Sequence, residues 1–227
     1  KLSVESFTFT KGSTGEGIDY SSDKDDQYSF RKTPWYLSAD TFTSLTLEDG
    51  IEYIGEFMFC ECTCIESVTV PDTVTGLGQY CLAYVYKMES LSLPIDVNAC
   101  YIVGEEIDLS DWFSYRLKEI ILTPGTTGVG YDYSEDWESG SYIFYTPWKV
   151  LLLPHDYEIT IAEGVKSIGD CCFDDCESMS VVNLPSTLES LGDNAFWQTF
   201  IYTVNLPDSL THLGSHAYEH CREIESV

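Results

Sequence analysis

Residues 179–196 read MSVVNLPSTLESLGDNAF, and this stretch decides the fold. Val182 and Leu184 flank the polar Asn183, which is the alternation of a β-strand that buries one face. Pro185 follows directly and ends the strand, because proline has no amide hydrogen to donate to a neighbouring strand. The stretch therefore predicts one short strand with its apolar side chains on one face.

The second part of the same stretch predicts a turn and a return of the chain. Leu188 and Leu191 form another apolar pair, and they precede Gly192, a residue type that can take a positive φ. Ala195 and Phe196 then predict a short helical turn. One such repeat, called a rung below, cannot bury its apolar edge alone, so it must stack on further rungs.

The same unit recurs along the chain at a fixed spacing. Gly55 and Gly78 are 23 residues apart, Gly169 and Gly192 are 23 apart, and Gly192 and Gly214 are 22 apart. Self-similarity at such a period predicts a solenoid of stacked rungs.

A longer repeat indicates a tandem duplication. At an offset of 113 residues, a Gly- and Asp-containing segment beginning at Thr14 recurs from Thr127, and Thr33-Pro34-Trp35 recurs as Thr146-Pro147-Trp148. After one inserted residue the offset becomes 114. We predict two modules, residues 1–114 and 115–227, stacked as one continuous solenoid because no Pro, Gly or Ser linker separates them.

Several motifs resemble the BspA-like leucine-rich repeats of bacterial surface proteins. They are GVKSIGD at residues 164–170, Phe-x-x-Cys at 173–176 and VVNLP at 181–185, together with the segments 15–35 and 128–148 that lead to Pro-Trp. The resemblance implies an α/β fold, a leucine-rich-repeat solenoid of 22–23-residue rungs with a parallel β-sheet face and short helical returns. It also implies an extracellular or cell-surface protein, without catalytic activity, that mediates adhesion or protein–protein interaction with host proteins, neighbouring cells or matrix.

The outward side chains of the predicted strands form the candidate binding surface, since stacked parallel strands make one extended face. We expect that surface to include Glu66, Thr69, Glu89, Ser92, Asn183, Thr203 and Asn205. It is small, polar and flat, so affinity would have to come from area or multivalency.

Charge and hydropathy limit the class of partner. The chain has 11 Lys and Arg against 38 Asp and Glu, a formal net charge of −27, which repels nucleic acid phosphates and anionic membranes. No apolar run approaches the ~20 residues that cross a bilayer, so no membrane insertion is expected. No signal peptide is recognisable, and export is inferred from the resemblance alone.

Cysteine, carboxylate and histidine side chains are the candidates for metal or disulfide sites. Most of the nine cysteines are interpreted as small buried apolar residues, although cross-register pairs such as Cys60 with Cys81 stay open. Calcium at the acidic segments is a weaker alternative to a solvated acidic hairpin, and its candidates are Asp19, Asp23, Asp132 and Asp136. His212, His216 and His220 are interpreted as surface residues of a terminal rung, and no cofactor is expected.

Two alternatives to protein binding remain. Exposed aromatic rings stack on sugars, which makes Trp35 and Trp148 candidates for a glycan site, although we favour a role for them as hydrophobic caps of each module. The chain would otherwise be a rigid spacer. No nucleophile, phosphate or metalloprotease motif is present, so we expect no enzyme.

Overall fold

The computed structural model describes residues 6–12, 41, 43–78, 81–82, 85–99, 116–134, 157–221 and 224. These contain thirteen strands, and all the paired strands are parallel. The strands are β1 (Ser6–Phe9), β2 (Ser44–Leu47), β3 (Tyr53–Ile54), β4 (Ser67–Thr69), β5 (Gly76–Leu77), β6 (Ser90–Pro94), β7 (Asn98–Ala99), β8 (Glu119–Thr123), β9 (Tyr157–Ile161), β10 (Ser167–Ile168), β11 (Met179–Asn183), β12 (Ser190–Leu191) and β13 (His212–Leu213).

The main sheet has five strands in the order β11-β9-β8-β6-β4, and β2, paired with β1, lies beside β4. Most rungs add a strand to this sheet. Most also have a second, two-residue strand, and these second strands form the smaller sheets β3-β5-β7 and β10-β12-β13. This is the predicted leucine-rich-repeat plan with a parallel sheet. Strands of the main sheet lie on both sides of residue 114, while the module boundaries themselves stay a prediction.

Alternation of side chains along each strand explains how the core forms. In β2 and β4 the residues that point inward are buried and those that point outward are exposed. The inward residues of the main sheet are Leu45, Leu47, Val68, Leu91, Leu93, Ile120, Leu122, Ile159, Ile161 and Val182, all in one core. Ile54, Leu77, Ile168 and Leu191 of the small sheets join the same core. A shift of register by one residue would expose this whole set, so burial specifies the pairing.

The returns of the chain differ from the expected short helices. They consist of consecutive turns, and the described residues contain no α-helix. In four of the described returns, two residues with positive φ occur four positions apart, for example Asn194 at 54° and Gln198 at 55°, and a helix cannot continue through such residues.

The hydrogen bonds of these returns explain the difference. Phe173 and Phe196 donate their backbone N–H groups to carbonyls of the next rung, those of Ala195 and Ala217, each at 2.8 Å. An α-helix would direct the same groups to carbonyls four residues earlier in the chain. The returns therefore bond between rungs instead of within themselves.

The glycine at the end of each second strand also has a different role from the one expected. Gly192 is not among the residues with positive φ. A Cβ placed on it would lie 2.5 Å from the backbone nitrogen of Asp170 and 2.6 Å from the carbonyl carbon of Gly169 in the preceding rung. Glycine is needed there because the backbones of successive rungs approach too closely for any side chain.

Acidic side chains connect the turns of successive rungs. Oδ2 of Asp96 accepts hydrogen bonds from the backbone nitrogens of Thr126 and Thr127, at 2.9 and 3.0 Å, and from both hydroxyl groups, at 2.8 and 3.0 Å. Glu163 accepts from the backbone nitrogen and hydroxyl of Ser186, and these bonds lower the pKa of the Glu163 carboxyl.

Replacement of Asp96 tests how much such a connection stabilises the solenoid. We expect Asp96→Ala to lower the free energy of unfolding by about 1–2 kcal/mol, because four donors lose a charged acceptor. Urea denaturation measures the change. Asp208→Ala is the control. Because Asp208 is exposed, its replacement should lower the free energy of unfolding by less than about 0.5 kcal/mol. Equal losses in the two variants would contradict this role of Asp96.

Candidate functional site

The outward side chains of β2, β4, β6, β8, β9 and β11 form one surface, called the strand face below. The register of the strands arranges them in two rows. One row contains Ser67, Ser90, Glu119, Glu158 and Val181, and the other contains Thr69, Ser92, Ile121, Thr160 and Asn183. Ser44 and Thr46 of β2 point outward in the same alternation.

Most of the predicted binding residues are accessible to solvent. Glu66, Thr69, Asn183 and Asn205 are exposed, and Glu89 and Thr203 are half-buried. Ser92 is the exception to the expectation, because only 8% of its surface is exposed. It is a small side chain between Thr69 and Ile121 of the neighbouring strands, and these larger neighbours leave little of it for a partner to contact.

Six residues of the strand face were not predicted as part of it: Ser44 and Thr46 of β2, Glu119 and Ile121 of β8, and Glu158 and Thr160 of β9. The long repeat contained the necessary signal, since Glu119 is 113 residues after Ser6 and Glu158 is 114 after Ser44. The same register pairs Ser6 with Ser44 and Glu119 with Glu158.

The two ends of the strand face differ in chemistry. From β1 to β6 the outward residues are serine and threonine, and from β8 onward they include carboxylates, amides and half-exposed aliphatic side chains. The Asn183 amide nitrogen donates to Oε1 of Glu158 and lies 3.4 Å from Oγ1 of Thr160. Lys118 pairs with Glu89 at 3.0 Å, an exposed ion pair that contributes little stability.

No metal site emerges from the residues that the structure describes: no group of three or more His, Cys, Asp or Glu side chains converges among them. Asp132, one of the calcium candidates, accepts hydrogen bonds from the backbone nitrogen and the hydroxyl of Ser134, at 2.8 and 2.7 Å. Asp19, Asp23 and Asp136 lie outside the described residues, so the calcium prediction is untested there. His212, His216 and His220 are exposed.

Six of the eight described cysteines are buried, and Cys60 and Cys81, the pair left open above, are free thiols. Burial raises the pKa of the Cys81 thiol to about 12, and it raises that of Cys171, helped by nearby Asp174, to about 12. Thiols with such a pKa stay protonated and unreactive at neutral pH. These cysteines act as core residues.

Trp35 and Trp148 lie outside the described residues, and the glycan hypothesis that rests on them stays untested. The described residues also contain no helix with the length and apolar character that a bilayer crossing needs.

Comparison with solved structures returns bacterial leucine-rich repeat proteins. A leucine-rich repeat protein from Bacteroides ovatus is 20% identical, with a TM-score of 0.47, over 81% of this chain and 42% of that protein. A leucine-rich cell surface protein from Faecalibacterium prausnitzii is 21% identical, with a TM-score of 0.37, over 82% of this chain and 39% of that one. The present chain thus spans about two fifths of the length of these two relatives. No curated protein matches the sequence.

The model of the BspA-type leucine-rich repeat region matches six copies, over residues 34–107 and 156–227. These ranges cover most of the strands described above and more than half of the chain. Repeats of this type are scaffolds for interaction and are typically found in surface-associated proteins. The chain belongs to the BspA-type leucine-rich repeat family.

Proposed function

We propose that this chain is an extracellular or cell-surface module that mediates adhesion or protein–protein interaction through its strand face. The observation that carries the proposal is the accessibility of outward side chains along the strand face, including Ser67, Thr69, Glu158 and Asn183, while the inward ones are buried. An extended surface built from one strand per rung suits a macromolecular partner better than a small ligand, which prefers a concave pocket. Its partners are proteins of a host, of neighbouring cells or of the matrix.

A binding screen with matched variants tests the proposal. The purified chain is applied at physiological salt to immobilised extracellular-matrix proteins and to a glycan array. We expect it to bind at least one matrix protein, and the double variant Thr69→Arg/Thr160→Arg to weaken that binding at least about tenfold, because two large charged side chains then stand on the strand face. Surface plasmon resonance measures the affinity.

The control is Thr75→Arg/Thr211→Arg, which adds the same residues at exposed positions beside the small sheets. We expect it to bind as the unmodified chain does. Equal losses in both double variants would contradict binding by the strand face. Binding to glycans alone would favour the glycan alternative, and the absence of any binding would favour a spacer.

A further inference from the structure

Two glutamates stand side by side on the strand face. Glu119 of β8 and Glu158 of β9 are register partners in adjacent parallel strands, which lie about 4.8 Å apart. The corresponding register pair of β1 and β2 consists of Ser6 and Ser44. The same backbone arrangement thus carries neutral hydroxyls near one end of the chain and two carboxylates near its middle.

Nothing among the described residues neutralises these two carboxylates. Lys118, the cation next in sequence to Glu119, pairs with Glu89 at 3.0 Å. Asn183 donates a hydrogen bond to Glu158 but adds no charge. Neither glutamate has an ion-pair partner in the described part of the chain. Like charges directly opposite on neighbouring strands repel each other, and a cation placed between them would relieve that repulsion.

The surroundings of the pair include anchors for a protein partner. Ile121 and Val181 are half-exposed outward residues next to the glutamates. Tyr202 is 46% exposed, and its backbone N–H donates to the carbonyl of Ser180 in β11, the strand of the preceding rung, at 3.4 Å. The backbone at Tyr202 thus lies next to β11, which itself pairs with the strand of Glu158. Tyrosine is a preferred anchor of interfaces, and its ring attracts cations.

We propose that Glu119, Ile121, Glu158, Val181, Asn183 and Tyr202, called the carboxylate patch below, bind a basic protein segment that presents arginine or lysine side chains. The inference rests on the proposed function and names the class of partner for this part of the strand face. Charge complementarity selects that partner, since the formal net charge of −27 also speeds the approach of a basic protein. Arginine fits the patch through its carboxylates, through the Tyr202 ring and through its apolar stem.

A synthetic 20-residue peptide of alternating arginine and serine is the probe, and the same peptide with citrulline in place of arginine is its neutral counterpart. Isothermal titration calorimetry is run at physiological salt, where weak long-range attraction is screened. Of the two peptides, we expect only the arginine peptide to bind. Glu119→Gln/Glu158→Gln should weaken it about tenfold, and Tyr202→Ala about fivefold, by loss of two charges and of the aromatic anchor.

The matched control is Glu52→Gln/Glu189→Gln, which removes two exposed charges outside the carboxylate patch. The control therefore has the same net charge as Glu119→Gln/Glu158→Gln. We expect it to change the affinity less than about twofold, since rim charges far from a contact act weakly. Thermal melting of each variant verifies that it is folded. Glutamine at residue 158 keeps an oxygen that accepts the Asn183 hydrogen bond, so packing around the patch is preserved.

Two results would overturn the inference. If both double variants lose affinity equally, the peptide binds through net charge and not through the carboxylate patch. If the unmodified chain does not bind the arginine peptide, the patch has no preference for a basic segment. Neither result affects the proposed function, because the matrix screen with Thr69→Arg/Thr160→Arg measures binding to the strand face separately.

Discussion

Phe196→Ala is expected to lower the free energy of unfolding by about 3–5 kcal/mol, which is the usual cost of removing a buried phenylalanine ring. The Phe196 side chain is fully buried. Its ring stacks on Phe173 at a centroid distance of 5.0 Å and on Tyr218 at 5.1 Å, with interplanar angles of 10° and 7°. Three successive rungs thus share one aromatic stack, and alanine at its centre would leave a cavity between them.

Urea denaturation followed by circular dichroism measures this loss. Phe200→Ala is the matched control, because Phe200 lies four residues away with 41% of its surface exposed. We expect the control to lower the free energy of unfolding by less than about 1 kcal/mol, since a large part of the Phe200 side chain is already exposed to water. Similar losses in the two variants would mean that the aromatic stack does not connect the rungs as the structure indicates.

Gly192→Ala is expected to destabilise the chain by about 3 kcal/mol, toward the upper end of the usual cost of overpacking. The added methyl group would lie 2.4 Å from Oδ1 of Asp170, and within 2.6 Å of backbone atoms of Asp170 and Gly169. Backbone atoms cannot move aside as the end of a flexible side chain can. Relief of the clash therefore requires the rungs at residues 169 and 192 to separate.

The shift in the midpoint of thermal unfolding tests this prediction. Glu189→Ala serves as the control, because Glu189 is exposed just before β12, at the other end of the strand that Gly192 follows, and its replacement should change the stability by less than about 0.5 kcal/mol. A Gly192→Ala variant as stable as the control would contradict the close approach of the two backbones. The requirement for glycine at residue 192 would then have to come from its backbone conformation.

The end of the described solenoid illustrates how burial depends on the next rung. Leu191 of β12 is fully buried, while its register partner Leu213 of β13 is 51% exposed. Both are leucines at the same position of the repeat, and their sequence environment is similar. The difference arises because β12 lies between two strands and β13 is at the edge of its sheet.

The repeat spacing was sufficient to predict the architecture and much of the core. Val182, Leu188 and Leu191 were recognised as apolar positions of one rung, and all three are buried. The outward residues of β4, β6 and β11 were predicted from the same alternation. Such predictions succeed because the period of side-chain direction in a strand is two residues and local sequence carries it.

The predictions that were wrong concern contacts between rungs. Helical returns were expected from Ala195 and Phe196, but these residues lie in turns whose N–H groups bond to the next rung. Gly192 was interpreted as a glycine that can take a positive φ, but it does not adopt one and is instead required for the approach of Gly169 and Asp170. In each case the deciding atoms belong to residues about 22 positions away in the sequence.

The sequence also determined one part of the candidate site, and the tertiary structure determined the other. The outward direction of its residues in β4, β6 and β11 follows from the sequence, which by itself also determined the solenoid, its period and its buried strand positions. The residues of β2, β8 and β9 were not predicted. Only the tertiary structure decided that Glu119 and Glu158 are neighbours, because 38 intervening residues conceal a pairing that the strand register sets. Side-chain direction is a local property of the backbone, whereas proximity across a parallel sheet depends on how separate rungs stack.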